Sequence, residues 1–263
     1  MSNAQKDVIP AIKMGFVKRL YRLVRENIKI AVLRNKIADN FPGDDLGEFL
    51  ERLNTINRNV PCAHNPSHAL EFILDMLRAP RNMEGCFIEA GCFKGGSTAK
   101  FSIVAHMLGR KLVVFDSFEG LPENSEEHDL SLQGHSIKGW FDGGRFTGTL
   151  NEVKQNISTY GEIDACSFMP GWFENTMPDF LEPILAGFID VDLASSTKTC
   201  LKFLYPRLVD GGVLCSQDGD FPLVVEVFKD SNFWTQEVGV EMPVISGLGE
   251  KITRIRKTFK SPI

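Results

Sequence analysis

Short, nearly continuous apolar runs recur near residues 86–90, 111–116, 165–169, 186–191 and 211–216, with stretches of helical periodicity between them. Runs of this kind are what strands buried on both faces require. Their alternation with helices predicts an α/β fold on a mostly parallel sheet. After the fifth run the rhythm changes. Trp234 to Val240 and Ile252 to Thr258 read as two strands separated by Pro243, Gly247 and Gly249, a terminal hairpin that sets an antiparallel last strand on the sheet.

Ahead of the first strand the period is that of helices. Ile12, Phe16, Leu20, Val24 and Ile28 recur at helical spacing, and Lys18, Arg19, Arg22, Arg25 and Lys29 fill much of the remaining surface. This predicts a basic amphipathic arm that packs on the rest of the chain or on a partner subunit, a route to a homo-oligomer. Leu46 to Ile56 reads as a short helix. Asn65-Pro66 offers an N-cap with proline at the first helical position, and the run from Leu70 to Leu77 makes a largely buried helix that Pro80 stops. The organisation expected is an N-terminal helical arm over residues 1–60 and one domain over 61–263.

Between Asp116 and a helix beginning near Thr149 lie about thirty residues without periodicity, a length that is uncommon inside a compact domain unless it serves function. They read as a lid over a substrate, with Trp140, Phe141 and Phe146 as its apolar contacts.

The 263 residues suffice for one large domain with a substantial core. A formal net charge of -5 sets aside general nucleic-acid binding, which needs a basic face. No apolar stretch approaches the ~18 residues of a membrane span, and no signal pattern opens the chain, so a cytoplasmic location is expected. Six cysteines without a C-x-x-C pair read as small apolar residues in a reducing compartment. His64 and His68 have the spacing of a helical metal pair, but Pro66 between them makes a helix-entry loop the simpler reading.

The first strand leads into Phe87-Ile-Glu-Ala-Gly-Cys-Phe-Lys-Gly-Gly-Ser97, and the second ends at Asp116, about twenty residues on, the arrangement of a nucleotide-binding βαβ unit. Asp116 is placed to take ribose hydroxyls. The glycine pattern is not the G-x-G-x-x-G of dinucleotide sites. Glu89, just before the turn, would repel a pyrophosphate but suits the cationic surroundings of S-adenosylmethionine, which is the ligand favoured.

Two further strand ends carry acids. Gly187-Phe-Ile-Asp-Val-Asp192 closes the fourth strand and Gln217-Asp-Gly-Asp220 follows the fifth. In an open α/β sheet both tips flank the ligand crevice, where Asp190 and its neighbours are suited to a hard cation such as Mg²⁺. A cation lowers the pKa of a hydroxyl and a carboxylate collects the proton, which casts Asp190 as a ligand and Asp192 as the base. Two other readings stand beside this one. Asp190 binds the cofactor while Asp192 only caps the next helix, expected over 195–207, or the D-x-D pair belongs to a metal-dependent glycosyltransferase.

Several motifs in order resemble the macrocin O-methyltransferase (TylF-like) family: Glu89-Ala-Gly-Cys-Phe-Lys-Gly-Gly-Ser97, Val114-Phe-Asp-Ser-Phe-Glu-Gly-Leu-Pro122, Pro170-Gly-Trp-Phe-Glu-Asn-Thr-Met-Pro178 and Ile189-Asp-Val-Asp192. The resemblance spans roughly residues 85–220. It implies a class I methyltransferase Rossmann-like fold, S-adenosylmethionine as donor, and Mg²⁺-assisted attack by a hydroxyl of a sugar or glycosylated small molecule. It puts Glu89, Gly91, Gly95, Ser97, Asp116, Ser117, Phe118, Gly171, Trp172 and Asp190 on the donor, Asp192 at the base position, and Asp190, Gln217 and Asp218 around the metal. The family usually has two adjacent acids where this chain has Gln217 before Asp218, so a non-catalytic donor-binding module is a further reading.

Overall fold

A computed structural model describes residues 3–258, with side chains from Leu20 onward. The five apolar runs are strands: β1 (Cys86–Ala90), β2 (Leu112–Asp116), β3 (Cys166–Pro170), β4 (Ile184–Ile189) and β5 (Leu208–Ser216). With β6 (Ile245–Ser246) and β7 (Thr253–Arg256) they form a sheet of order β3-β2-β1-β4-β5-β7-β6. The first five are mutually parallel, and β7 runs antiparallel to both β5 and β6. This is the class I methyltransferase sheet that the sequence predicts.

Side-chain alternation splits the core into two layers. Phe87, Leu112, Val114, Ala186, Phe188 and Cys215 face α3 (Pro66–Leu77), α4 (Gly96–Met107) and α5 (Leu150–Tyr160). Ile88, Val113, Phe115, Ile189 and Leu214 face α7 (Ala194–Leu204) and α8 (Pro222–Lys229). Register aligns Ala90 with Phe115 and with Ile189, so Gly91, Asp116 and Asp190 leave the sheet at one level. The strand order reverses between β1 and β4, and a crevice opens there.

The segment expected as an arm forms α1 (Asn3–Ala38) and α2 (Leu46–Asn59), and Phe49, Leu53 and Ile56 of α2 are buried in the same core as the sheet. Ile12, Phe16, Lys18 and Arg19 lie outside the described side chains. Leu20, Val24 and Ile28, with Val32 next in the series, are exposed, while a different stripe, Ile30, Leu33 and Ile37, packs inward. The contacts that hold α1 to α3 include polar ones. Glu26 accepts from the Ser67 backbone N–H at 3.0 Å and from its hydroxyl at 2.9 Å, doing the capping that the Asn65 side chain does not. Lys29 pairs with Glu71, and Arg254 of β7 reaches Glu71 at 2.8 Å and buried Asp75 at 2.7 Å, joining α1, α3 and β7.

The first strand expected of the terminal hairpin is not a strand. Trp234–Val238 is a π-helical turn after the short α9 (Ser231–Phe233), and β7 pairs with the two-residue β6 instead. Asp230 accepts from the backbone of Asn232 and Phe233 and so starts a helix. Trp234 is fully buried, with its indole N–H bonded to the Phe228 carbonyl at 3.0 Å and its ring against Tyr205 at 5.2 Å. Val238, four residues on, is buried with it while Gln236 between them is exposed, a pattern that a helix serves and that strand alternation, which would bury Gln236 too, does not.

Candidate active site

The crevice is a cleft of about 1180 Å³, counted out to solvent, lined among others by Gly91, Ser97, Asp116, Ser117, Gly171, Trp172, Asp190, Asp192 and Gln217. Nine of the residues that the sequence singles out for the donor, base and metal therefore line one cleft. Glu89, Gly95, Phe118 and Asp218 stand behind it. Gly95 opens α4 at φ +80 with its back to Val153, and Phe118 is buried beside Phe168.

The turn after β1 depends on glycine. Gly91 has φ +82, and a Cβ there would lie 1.9 Å from the Asp190 carbonyl oxygen, so no side chain fits between the tips of β1 and β4. Asp116 stitches that turn to β2: its oxygens accept from the Cys92 and Phe118 N–H groups, each at 2.7 Å. Burial raises the Asp116 pKa against the lowering effect of these bonds. Glu89 is fully buried beneath the turn with neither carboxylate oxygen hydrogen-bonded, and burial pushes its pKa up to about 8.

Across the cleft, Asp190, Asp192 and Asp218 each bring a carboxylate oxygen within 4.8 Å of the others. Asp218 is fully buried. Its Oδ2 accepts from the Val191 and Asp192 N–H groups at 3.1 and 2.9 Å, which holds Asp192 at φ +60, whereas its Oδ1 has no hydrogen-bond partner. All three pKa values are raised. For Asp192 the causes are burial and then the Asp218 and Asp190 charges, and Asp218 reaches about 7 through burial and the Asp190 charge. Three convergent acids, one with an orphaned buried oxygen, are a donor set suited to a hard divalent cation. Asp192 thus joins Asp190 and Asp218 in the acidic cluster, while the Gln217 amide nitrogen is 3.3 Å from His68 Nδ1. Burial holds His68 neutral, down to about 2, so that nitrogen accepts. Asp220, the other acid after β5, pairs with Lys251 at 3.2 Å.

Asp192 does not cap α7. Its N-cap residue, Leu193, provides no side-chain bond, and the first N–H groups are held by Glu126 from the loop after β2. That acid escaped the sequence reading because its partners lie 68 and 69 residues away. Lys251 escaped it for the same reason.

Cys62 and His64 also line the cleft, with Sγ 3.3 Å from Nε2. Burial opposes ionisation of the thiol, but the His64 hydrogen bond and charge outweigh it and leave the Cys62 pKa below its ordinary value. Burial would lower His64, yet the Cys62 bond and charge, then Asp190, raise it to about 9. All six cysteines are free, and burial pushes the other five upward. Iodoacetamide is therefore expected to alkylate Cys62 at least about tenfold faster than any other cysteine at neutral pH. Peptide mapping of the alkylated protein checks this, and preferential labelling of another thiol refutes it.

A profile of the macrocin O-methyltransferase (TylF) family matches residues 69–246, which take in the sheet through β6 and the whole acidic cluster. The chain belongs to that family. Among curated proteins it is 33% identical over 144 residues to an 8-demethyl-8-(2,3-dimethoxy-alpha-L-rhamnosyl)-tetracenomycin-C 4'-O-methyltransferase of Streptomyces olivaceus, covering 51% of this chain and 52% of that one. It is 30% identical over 165 residues to a mycinamicin III 3''-O-methyltransferase of Micromonospora griseorubida, covering 59% and 64%. The match thus spans about half to two thirds of the length of these relatives. Among solved structures, the O-methyltransferase NovP superposes with a TM-score of 0.55 at 20% identity over 79% of this chain and 80% of that one, a likeness of fold.

Proposed function

We propose that this macrocin O-methyltransferase family member transfers the methyl group of S-adenosylmethionine to a hydroxyl of a sugar or glycosylated small molecule. One observation carries the reading: a single cleft at the β1/β4 reversal joins Asp116 and the glycine turn to the Asp190, Asp192 and Asp218 carboxylates. Gly91, Ser97, Asp116, Ser117, Gly171 and Trp172 would hold the donor. Asp190 and Asp218 would hold Mg²⁺, which when bound lowers the pKa of an acceptor hydroxyl. Asp192, on the same wall, takes the hydroxyl proton. Sugar acceptors follow from the Streptomyces olivaceus relative, whose name specifies a rhamnosyl group. Family membership and the antiparallel β7 weigh against the glycosyltransferase reading. The convergence of three acids weighs against a module that lost its chemistry at Gln217.

A ligand that binds only the folded chain raises its melting temperature. At a concentration about 100 times its Kd, S-adenosylhomocysteine is expected to raise Tm by roughly 5–10 °C in a calorimetric scan. No shift with adenosyl ligands, together with a shift from uridine diphosphate and Mn²⁺, would reverse the assignment.

A further inference from the structure

The segment between β2 and α5 lacks regular structure but is densely anchored, and its bonds converge on Glu126. That carboxylate accepts from Ala194 N at 2.7 Å, Ser195 N at 2.9 Å and Ser195 Oγ at 2.7 Å. A fourth contact at 3.1 Å comes from His128, which is buried edge-on against Phe141 and Phe221. Asn124 accepts from the Glu126 N–H at 3.1 Å and donates to the Pro122 and Phe141 carbonyls. Phe141, Phe221, Leu121 and Pro122 all line the cleft.

Both ends of this arrangement bear on the chemistry. One end is the cover, which includes Trp140 and Phe146 on the cleft wall. The other is the first turn of α7, whose backbone N–H groups have no capping side chain of their own and follow Asp190-Val191-Asp192 after the single residue Leu193. An ionised carboxylate is the favoured partner for such groups. Burial alone would raise Glu126, but the His128 and Ser195 hydrogen bonds hold it down at about 2, so the charge persists across the working pH range.

We propose that Glu126 is a positioning residue, a latch that holds the cover of residues 117–148 over the cleft by capping α7 and thereby fixes the turn that presents Asp192. The cleft's chemistry rests on the function proposed above, whereas the latch itself does not. Closing the cover completes the helix cap, and opening it leaves Ala194 and Ser195 N–H groups uncapped beside the acid that takes the proton.

The test compares the intact chain with Glu126→Gln, Glu126→Asp and Ser195→Ala by amide hydrogen exchange and by stopped-flow S-adenosylhomocysteine binding. In Glu126→Gln, exchange in the cover, at Ser131 and Ile137, and in the first turn of α7 quickens about tenfold or more, the worth of a charged hydrogen bond. Strands β1 and β4 keep their protection. Association and dissociation of the ligand both quicken while Kd holds, a pattern that mere destabilisation does not produce. Glu126→Asp recovers part of the protection, and Ser195→Ala, which removes one contact of the three to α7, lies between. Unchanged exchange in the cover, or a loss spread evenly through the sheet, overturns the latch. If the intact chain binds no S-adenosylhomocysteine, the donor assignment fails while the exchange pattern still decides the latch.

Discussion

Replacing Asp192 with Asn is expected to lower methyl transfer to a sugar acceptor, on the function proposed above, by about 10²- to 10⁴-fold in kcat, the range set by loss of a general base, and to leave S-adenosylhomocysteine affinity unchanged. The substitution is close to isosteric, and Asn is among the residues that best tolerate positive φ, so the turn at φ +60 survives. The backbone N–H of residue 192 still donates to Asp218 Oδ2. What disappears is the carboxylate proposed as the proton acceptor. Because burial and the neighbouring carboxylates hold the Asp192 pKa well above the ordinary range, wild-type kcat should rise with pH as the group ionises, and the Asn variant should lose that limb. Steady-state kinetics across pH, paired with isothermal titration of S-adenosylhomocysteine, reads both effects. Full activity in the variant would remove Asp192 from the chemistry. Parallel loss of ligand affinity would make it a structural residue.

The sheet was legible because its signals are local. Phe87-Ile88 and Val113-Val114 are apolar without alternation, as strands covered on both faces must be, and Gly91 sits where only glycine fits. The place of the cleft followed, since in such a sheet a strand's last residue locates the crevice whatever happens elsewhere in the chain. The Trp234 turn was not legible. Its Trp, Thr and Val residues suit a strand by type, and the Tyr205 ring, about thirty residues earlier, together with the Asp230 cap selects a helix. Asp75 reads as one polar residue on an apolar helix until Arg254 and Arg256 arrive from nearly the other end of the chain. Glu126 belongs to the same class. Its neighbours Glu119, Glu123 and Glu127 look equivalent in sequence, and tertiary pairing alone sets it apart. Glu89 reads in sequence as a donor-facing acid, whereas the fold seats it under the turn, since period-2 alternation on β1 puts it on the side of Phe87 and α4.

Millimolar Mg²⁺ is expected to raise the melting temperature by several degrees at about pH 8 and by nothing measurable near pH 5, because protons and the cation compete for the same oxygens. The sign follows from the direction of the shifts. Asp190, Asp192 and Asp218 all have raised pKa values in the folded chain, Asp218 at about 7, against ~3.9 for an unfolded aspartate. The folded state therefore holds more protons than the unfolded state between those limits. The contribution of Asp218 is most favourable below about pH 4 and is lost as pH rises through about 7, and those of Asp190 and Asp192 are likewise lost as pH rises through their own raised values. In the metal-free protein the three crowded acids, of which Asp218 is buried, repel one another as they ionise, with Lys251 and His64 as the positive charges that oppose them. Asp218→Asn removes one of those charges yet keeps an acceptor for the Val191 and Asp192 N–H groups. Without metal, the variant should melt roughly 3–6 °C higher than wild type near pH 8 and match it near pH 5. It should also lose the response to Mg²⁺. A response to Mg²⁺ that survives in Asp218→Asn would move the cation elsewhere. No response in either protein at any pH would leave the three acids as a charge cluster balanced by Lys251 and His64, with Asp192 acting as base unaided.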